Sequence, residues 1–120
     1  VKQLIHIYTH IFICVFILLT LDIRLYLMHE VIFEWDPYKN LYNAQKHGIT
    51  FMEAQKAFLD PRRVIAKDYK HSEIEDRFYC FGKMNNKILT VRFTYRDCKI
   101  RIIGAGYWRE GKMIYEQENT

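Results

Sequence analysis

Cysteine is scarce in this 120-residue chain, and what there is lacks pattern. Cys14, Cys80 and Cys98 form no CxxC spacing and leave one over in any pairing. That excludes a disulfide framework and reads as three reduced thiols of a cytoplasmic protein. The five histidines do not cluster with Cys, Asp or Glu at ligand spacing, so neither a metal site nor a cofactor is expected. Internal repeats and low-complexity tracts are missing too, which leaves one domain with at most an appendage. Charge is absent from residues 4–21, where no Asp, Glu, Lys or Arg occurs.

Half of the residues are apolar and 16% aromatic, enough for a core without disulfides or metal. The net charge of +4, with a pI near 9.0, leans towards anionic partners. Residues 1–27 differ from the rest. Their uncharged span just reaches the length of a transmembrane helix, about 18–20 residues. His6, Thr9 and His10 interrupt it, and no small-residue cleavage site follows. We therefore expect residues 1–27 to be an extension upstream of the true start at Met28, with a membrane anchor as the alternative. Residues 28–120 keep 16 basic and 13 acidic residues, so the basic character belongs to the domain.

The chain is organised around FEWDPYKNLYNAQKHGITFMEAQKAFLD, residues 33–60. Asp36 and Pro37 predict an N-cap and first helical position, and Gly48 a left-handed C-terminus. Tyr38, Leu41 and Tyr42 recur at helical spacing as an apolar stripe, with Lys39, Asn43, Lys46 and His47 on the opposite side. Thr50 and Glu53 predict a capping box for a second helix, stopped by Asp60-Pro61. Lys46 and His47 beside a tight glycine turn suggest an anion site.

A strand is expected over residues 63–66, a polar link over 67–75, and a closing helix over 107–116 that Gly111 weakens. Between these lie RFYCFGKM, KILTVRFTY and CKIRIIGA, three runs of alternating polarity. Two-residue turns at Asn85-Asn86 and, less well suited, Arg96-Asp97 set the expected register. One face then carries Phe78, Cys80, Leu89, Val91, Phe93, Tyr95, Cys98, Ile100, Ile102 and Gly104 as core. The other carries Arg77, Tyr79, Phe81, Thr90, Arg92, Lys99 and Arg101, with Arg92 opposite Arg101. Like charges facing across a ladder repel, so the arginines are either splayed in solvent or gathered around a polyanion. Interleaved Tyr79 and Phe81 add stacking surface, the combination that binds single-stranded nucleic acid.

Taken together, FEWDPYKNLYNAQKHGITFMEAQKAFLDP, EDRFYCFG and KIRIIGAGYWREGKMIYE resemble the BrnT family, toxins of bacterial type II toxin–antitoxin pairs. The resemblance spans residues 31–117 and rests on Trp35, Asp36, Lys39, Asn43, Lys46, His47, Gly48, Arg77, Arg101 and Ala105. It implies a small RelE-like α+β domain over residues 28–120, with two N-terminal helices and a C-terminal helix around an antiparallel sheet of about four strands. It also implies metal-independent RNA cleavage that arrests translation and growth. A BrnA-type antitoxin is the implied partner, with promoter DNA met only through that antitoxin. One departure stands out: many members carry Ser-Ala-Arg where this chain has Gly104-Ala105-Gly106. The arginine's role then passes to Arg109 or Arg101, or activity is reduced; the alternative is a non-catalytic or decayed domain of this fold that binds antitoxin or RNA without cutting.

Cleavage by the RNA's own 2′-OH needs a proton handler and donors for phosphoryl charge. His47 is expected to handle the proton, since imidazole ordinarily titrates near neutrality, although it could instead merely brace the Gly48 turn. Lys46, Arg77, Arg92 and Arg101 are expected on phosphate, with Lys99 and Arg109 near the RNA and Tyr79 or Tyr107 against a base. Trp35 and Asp36 read as core and cap.

Overall fold

A computed structural model describes residues 31–120 of the protein. The expectations for residues 1–27, and for Met28 as the start, lie outside the described residues. Chain order is β1 (Phe33–Trp35), α1 (Pro37–His47), α2 (Phe51–Ala54) running into a 3₁₀ segment (Gln55–Leu59), and β2 (Val64–Lys67). A 3₁₀ turn (Tyr69–His71), β3 (Arg77–Met84), β4 (Lys87–Arg96), β5 (Lys99–Gly106) and α3 (Arg109–Glu118) follow. None of the helices among the described residues is long and apolar enough to cross a membrane.

The α+β class and the three helices stand, but the sheet does not match four antiparallel strands. It has five, in the order β1-β5-β4-β3-β2, and β1 lies parallel to β5. Three residues suffice there because Phe33, Glu34 and Trp35 pair in register with Ile100, Arg101 and Ile102. Helix ends follow the local chemistry. The Tyr38 amide donates to Asp36 Oδ1 at 2.8 Å, Gly48 closes α1 at φ 70°, and the Glu53 amide donates to Thr50 Oγ1 at 3.1 Å.

The β3–β4 hairpin turns at Asn85-Asn86 as expected, both with positive φ, and Arg77 faces Thr94 while Tyr79 faces Arg92. The β4–β5 hairpin is corrected. Its turn residues are Asp97 and Cys98, both left-handed, so Arg96 rather than Tyr95 closes the ladder. A tight turn of this kind needs positive φ at both central positions, and Asp97 accepts it better than an arginine does. A bulge between Arg92 and Phe93 then adds one residue to β5. Arg92 consequently faces Gly104, and Arg101 faces Thr94. Gly104 leaves the core face and Ala105 replaces it there, fully buried opposite Val91. Cys98 is likewise an exposed turn residue and not core.

The cysteines divide. Cys80 is a free thiol sealed in the core, its pKa pushed far up by burial. Cys98 differs, lying in the exposed β4–β5 turn.

One sheet face is the main core. Phe51, Ala54 and Ala57 from α2 and its 3₁₀ extension pack on Cys80, Leu89, Val91, Phe93, Ile100 and Ile102. Each large side chain so buried contributes on the order of 1.5–3 kcal/mol. On the opposite face α3 covers only part of the sheet, through Tyr115 on Val64 and Phe81. Gly111 makes that approach possible. A Cβ there would meet Thr90 Oγ1 at 2.1 Å and the Phe81 ring at 2.9 Å, so its helix-weakening effect is the lesser part of its role.

Helix α1 is turned opposite to its apparent amphipathicity. Tyr38, Leu41 and Tyr42 are 83%, 59% and 62% exposed, whereas Asn43 is buried. The reason is hydrogen bonding: the Asn43 side chain meets three buried backbone groups, which sets the rotation of the helix.

Candidate functional site

Because Asn43 faces inward, its helical neighbours Lys39, Lys46 and His47 are carried to the same side of α1. They form one wall of a cleft over the part of the sheet that α3 leaves open. The N-terminal half of α3, with Trp108 just before it, forms the other wall, and β3 and β4 supply the floor. The cleft measures about 750 Å³. It is lined by five cations, Lys39, Lys46, Lys67, Arg77 and Arg92, against the single carboxylate of Glu110.

Arg92 sits at the centre. A Cβ on Gly104 would lie 3.9 Å from both Arg92 Nη2 and Asn43 Oδ1, so the guanidinium reaches over Gly104 towards α1. The bulge that put a glycine opposite Arg92 is what leaves this room. Arg92 Nε is buried without a hydrogen-bond partner, and no carboxylate pairs with this arginine among the described residues. Arg77, diagonal to it on β3, lies 3.6 Å from Glu75, which also holds Arg96 at 3.0 Å. The hydrogen bond from Arg96, acting against burial, keeps the Glu75 carboxyl below its ordinary range.

Tyr79 shows the cleft a ring already stacked on Phe81, with centroids 5.7 Å apart. Burial, and then the Asp68 carboxylate bonded to its hydroxyl, raise its pKa. Asp68 is itself buried and accepts from His71 Nδ1 at 2.9 Å. Burial opposes ionisation of Asp68, but the bonds from His71 and Tyr79 outweigh it and hold the carboxyl below its usual value. His47 is exposed at the rim, edge-on to the Trp108 indole at 5.2 Å, and Lys46 Nζ lies 5.6 Å from the Tyr42 ring.

The structure therefore brings together His47, Lys46, Arg77, Arg92 and Tyr79. It does not bring in Arg101 or Lys99. The Arg101 guanidinium lies 3.6 Å from Glu34 on the β1 side of the sheet, and Lys99 sits beside the β4–β5 turn opposite Arg96. Tyr107 and Arg109 line a second pocket across Trp108. Sequence reasoning placed Asn43 on the polar side of α1 and gave it no role in the site. The i, i+4, i+7, i+8 spacing of Lys39, Asn43, Lys46 and His47 was the available signal, since it marks one helix face. Asp68 and His71 carried no signal at all. No group of three or more His, Cys, Asp or Glu among the described residues could hold a metal ion.

Gly106 stands where the resemblance led to the expectation of an arginine, and its neighbourhood is filled. A Cβ there would meet the Trp108 indole at 2.7 Å, so the ring lies against the bare backbone of β5.

A comparison with curated proteins found no match. Residues 35–111 match the family model described as the ribonuclease toxin BrnT of type II toxin–antitoxin systems. That match runs from Trp35 through both walls and the floor of the cleft to Gly111, and the chain belongs to the BrnT family of ribonuclease toxins.

Proposed function

We propose that the cleft between α1 and α3 binds single-stranded RNA and cuts it through attack of the substrate's own 2′-OH. A bond forms from the 2′-oxygen to phosphorus and the bond to the 5′-oxygen breaks, leaving a 2′,3′-cyclic phosphate and a 5′-hydroxyl. His47, exposed at the rim, takes or returns the proton. Arg92, Arg77 and Lys46 meet the charge that builds on the phosphoryl oxygens. Tyr79 and Trp108 offer ring faces to the flanking bases. No step requires a metal ion. In the cytoplasm such cleavage arrests translation and growth, and a BrnA-type antitoxin neutralises it while carrying the pair to promoter DNA.

The observation that carries this reading is Arg92, a guanidinium on the cleft floor with a buried nitrogen left unpaired. Such a group costs about 1–3 kcal/mol unless a ligand satisfies it, and phosphate fits its fork. The test is incubation of the purified protein with RNA in EDTA, with the product ends identified. Cyclic-phosphate and 5′-hydroxyl ends are expected; cleavage that demands added Mg²⁺ or Mn²⁺ overturns the mechanism.

A second reading is supported by Gly106, whose site holds the Trp108 indole where the resemblance implies an arginine: a domain that binds antitoxin or RNA and cuts nothing. RNA that is retained by the protein but stays intact supports that reading.

A further inference from the structure

Trp108 lines not one concavity but two. Beyond the indole, away from α1, lies a second pocket of about 620 Å³ between α3 and the β3–β4 hairpin. Lys83, Lys87, Arg109 and Lys112 surround it, with Tyr107 on its wall. Lys83, Lys87 and Arg109 pair with no carboxylate among the described residues, and Lys112 is 4.0 Å from Glu116. The pocket's other acid, Asp60, is occupied: it accepts from the Arg62 amide, the Lys83 amide and the Tyr115 hydroxyl. Lys87 Nζ lies 5.5 Å from the Tyr107 ring, on which a cation and a stacked base can alternate.

The aromatic ridge is built in. Trp108 is 43% exposed and Tyr107 38%, and the Trp108 indole keeps its place because Gly106 puts no side chain beneath it. Cations on both sides of an exposed aromatic ridge form the pattern of a track for single-stranded nucleic acid, with phosphates on the cations and a base on the ring.

We infer that the second pocket is an RNA subsite, holding the phosphates that flank the cut while Trp108 carries the base between the two pockets. This rests on the reading of the first cleft as the cutting site. It adds that substrates long enough to cross Trp108 bind more tightly than short ones, through Lys83 and Lys87.

The probes are 2′-O-methyl oligoribonucleotides of 4 and 12 nucleotides, which bind without being cut, and unmodified RNAs of the same lengths for cleavage. The full protein is compared with its Lys83→Gln/Lys87→Gln variant, whose exposed positions leave the fold intact by circular dichroism. Wild type is expected to prefer the 12-mer. The variant is expected to lose roughly tenfold affinity for it at low salt, and about 1.4 from the slope of log K against log salt, at ~0.7 per phosphate contact. Binding and cleavage of the 4-mer should be unchanged. Equal affinity of wild type for both lengths, or an unaltered 12-mer affinity and slope in the variant, overturns the subsite while the first cleft stands. Wild type that neither binds nor cuts the 4-mer removes the first cleft, and the subsite with it.

Discussion

The side-chain amide of Asn43 grips the backbone of Ala105 from both directions. Its Nδ2 donates to the Ala105 carbonyl at 2.9 Å, and the Ala105 amide donates to its Oδ1 at 3.1 Å. The same nitrogen also donates to the Ile49 carbonyl at 2.8 Å. One side chain thus completes the edge of β5 after the bulge, seats α1 on the sheet, and ties down the turn that follows it. Replacing it by alanine leaves an amide and two carbonyls buried without partners. Asn43→Ala is expected to cost about 2–4 kcal/mol in urea unfolding, because stranded buried groups are dearer than the bonds themselves. A loss under about 0.5 kcal/mol would show that water replaces the amide, and that something else orients α1.

Gly111 sets two magnitudes against each other. In a helix interior Gly→Ala gains about 1 kcal/mol of propensity. Here the new methyl meets Thr90 Oγ1 at 2.1 Å and the Phe81 ring at 2.9 Å. Overpacking of that kind costs roughly 1–3 kcal/mol, so packing wins and Gly111→Ala is expected to lower the melting temperature by several degrees. Thr90→Ala in the same chain should restore part of it by removing the nearer obstacle. A Gly111→Ala variant more stable than wild type would mean that α3 is free to lift off the sheet.

These two residues also mark where sequence reasoning succeeded and stopped. Caps and the first hairpin are local chemistry: Asp36, Thr50 and Asn85-Asn86 each act on residues within a few positions, and each stands where expected. The period-2 alternation gave the right faces through β3 and most of β4. What failed was non-local. The apolar residues of α1 point to solvent because a hydrogen bond to Ala105, 62 residues away, overrides a stripe of two tyrosines and a leucine. The parallel seat of β1 on β5 joins opposite ends of the domain, which no alternation encodes. The bulge at Arg92 and the one-residue shift of the second turn moved Arg101 away from Arg92. The cleft was therefore half legible. Its α1 residues share a helical spacing, but the way Arg92 gains its room over Gly104 depends on one unpaired residue in β5.

The Tyr115 hydroxyl donates to Asp60 Oδ2 at 2.7 Å, tying α3 to the loop before β2. Burial disfavours the Asp60 carboxylate, yet the Lys83 amide, the Tyr115 hydroxyl and the Arg62 amide and charge hold its pKa below the ordinary value. Its contribution is therefore present above about pH 4 and lost as pH falls through the lower folded value. Burial, and then the bond to Asp60, push Tyr115 up to about 12. Its contribution is full below about pH 10 and lost as pH rises towards that folded value. Tyr115→Phe should cost about 1 kcal/mol at pH 7, and the gap to wild type should close at both ends of the range. Denaturant midpoints across pH measure it; a gap that does not change with pH would show that the bond contributes little.

Arg92 and Arg101 share a sheet face but not a situation. Arg92 lies on the cleft floor with a buried nitrogen unpaired, whereas Arg101 is held 3.6 Å from Glu34 outside the cleft lining. If phosphate is bound by the guanidinium that lacks a partner in the protein, the two substitutions must differ. Arg92→Gln is expected to lower the rate of RNA cleavage by roughly 100-fold or more, the scale for losing a donor aimed at developing charge. Arg101→Gln should change it by less than about tenfold and act instead through stability, since it leaves Glu34 half-buried without its cation. Cleavage rates measured beside urea unfolding for both variants separate the cases. A folded Arg101→Gln protein as inactive as Arg92→Gln would move the phosphate to the β1 side of the sheet, and the cleft described here would be the wrong one.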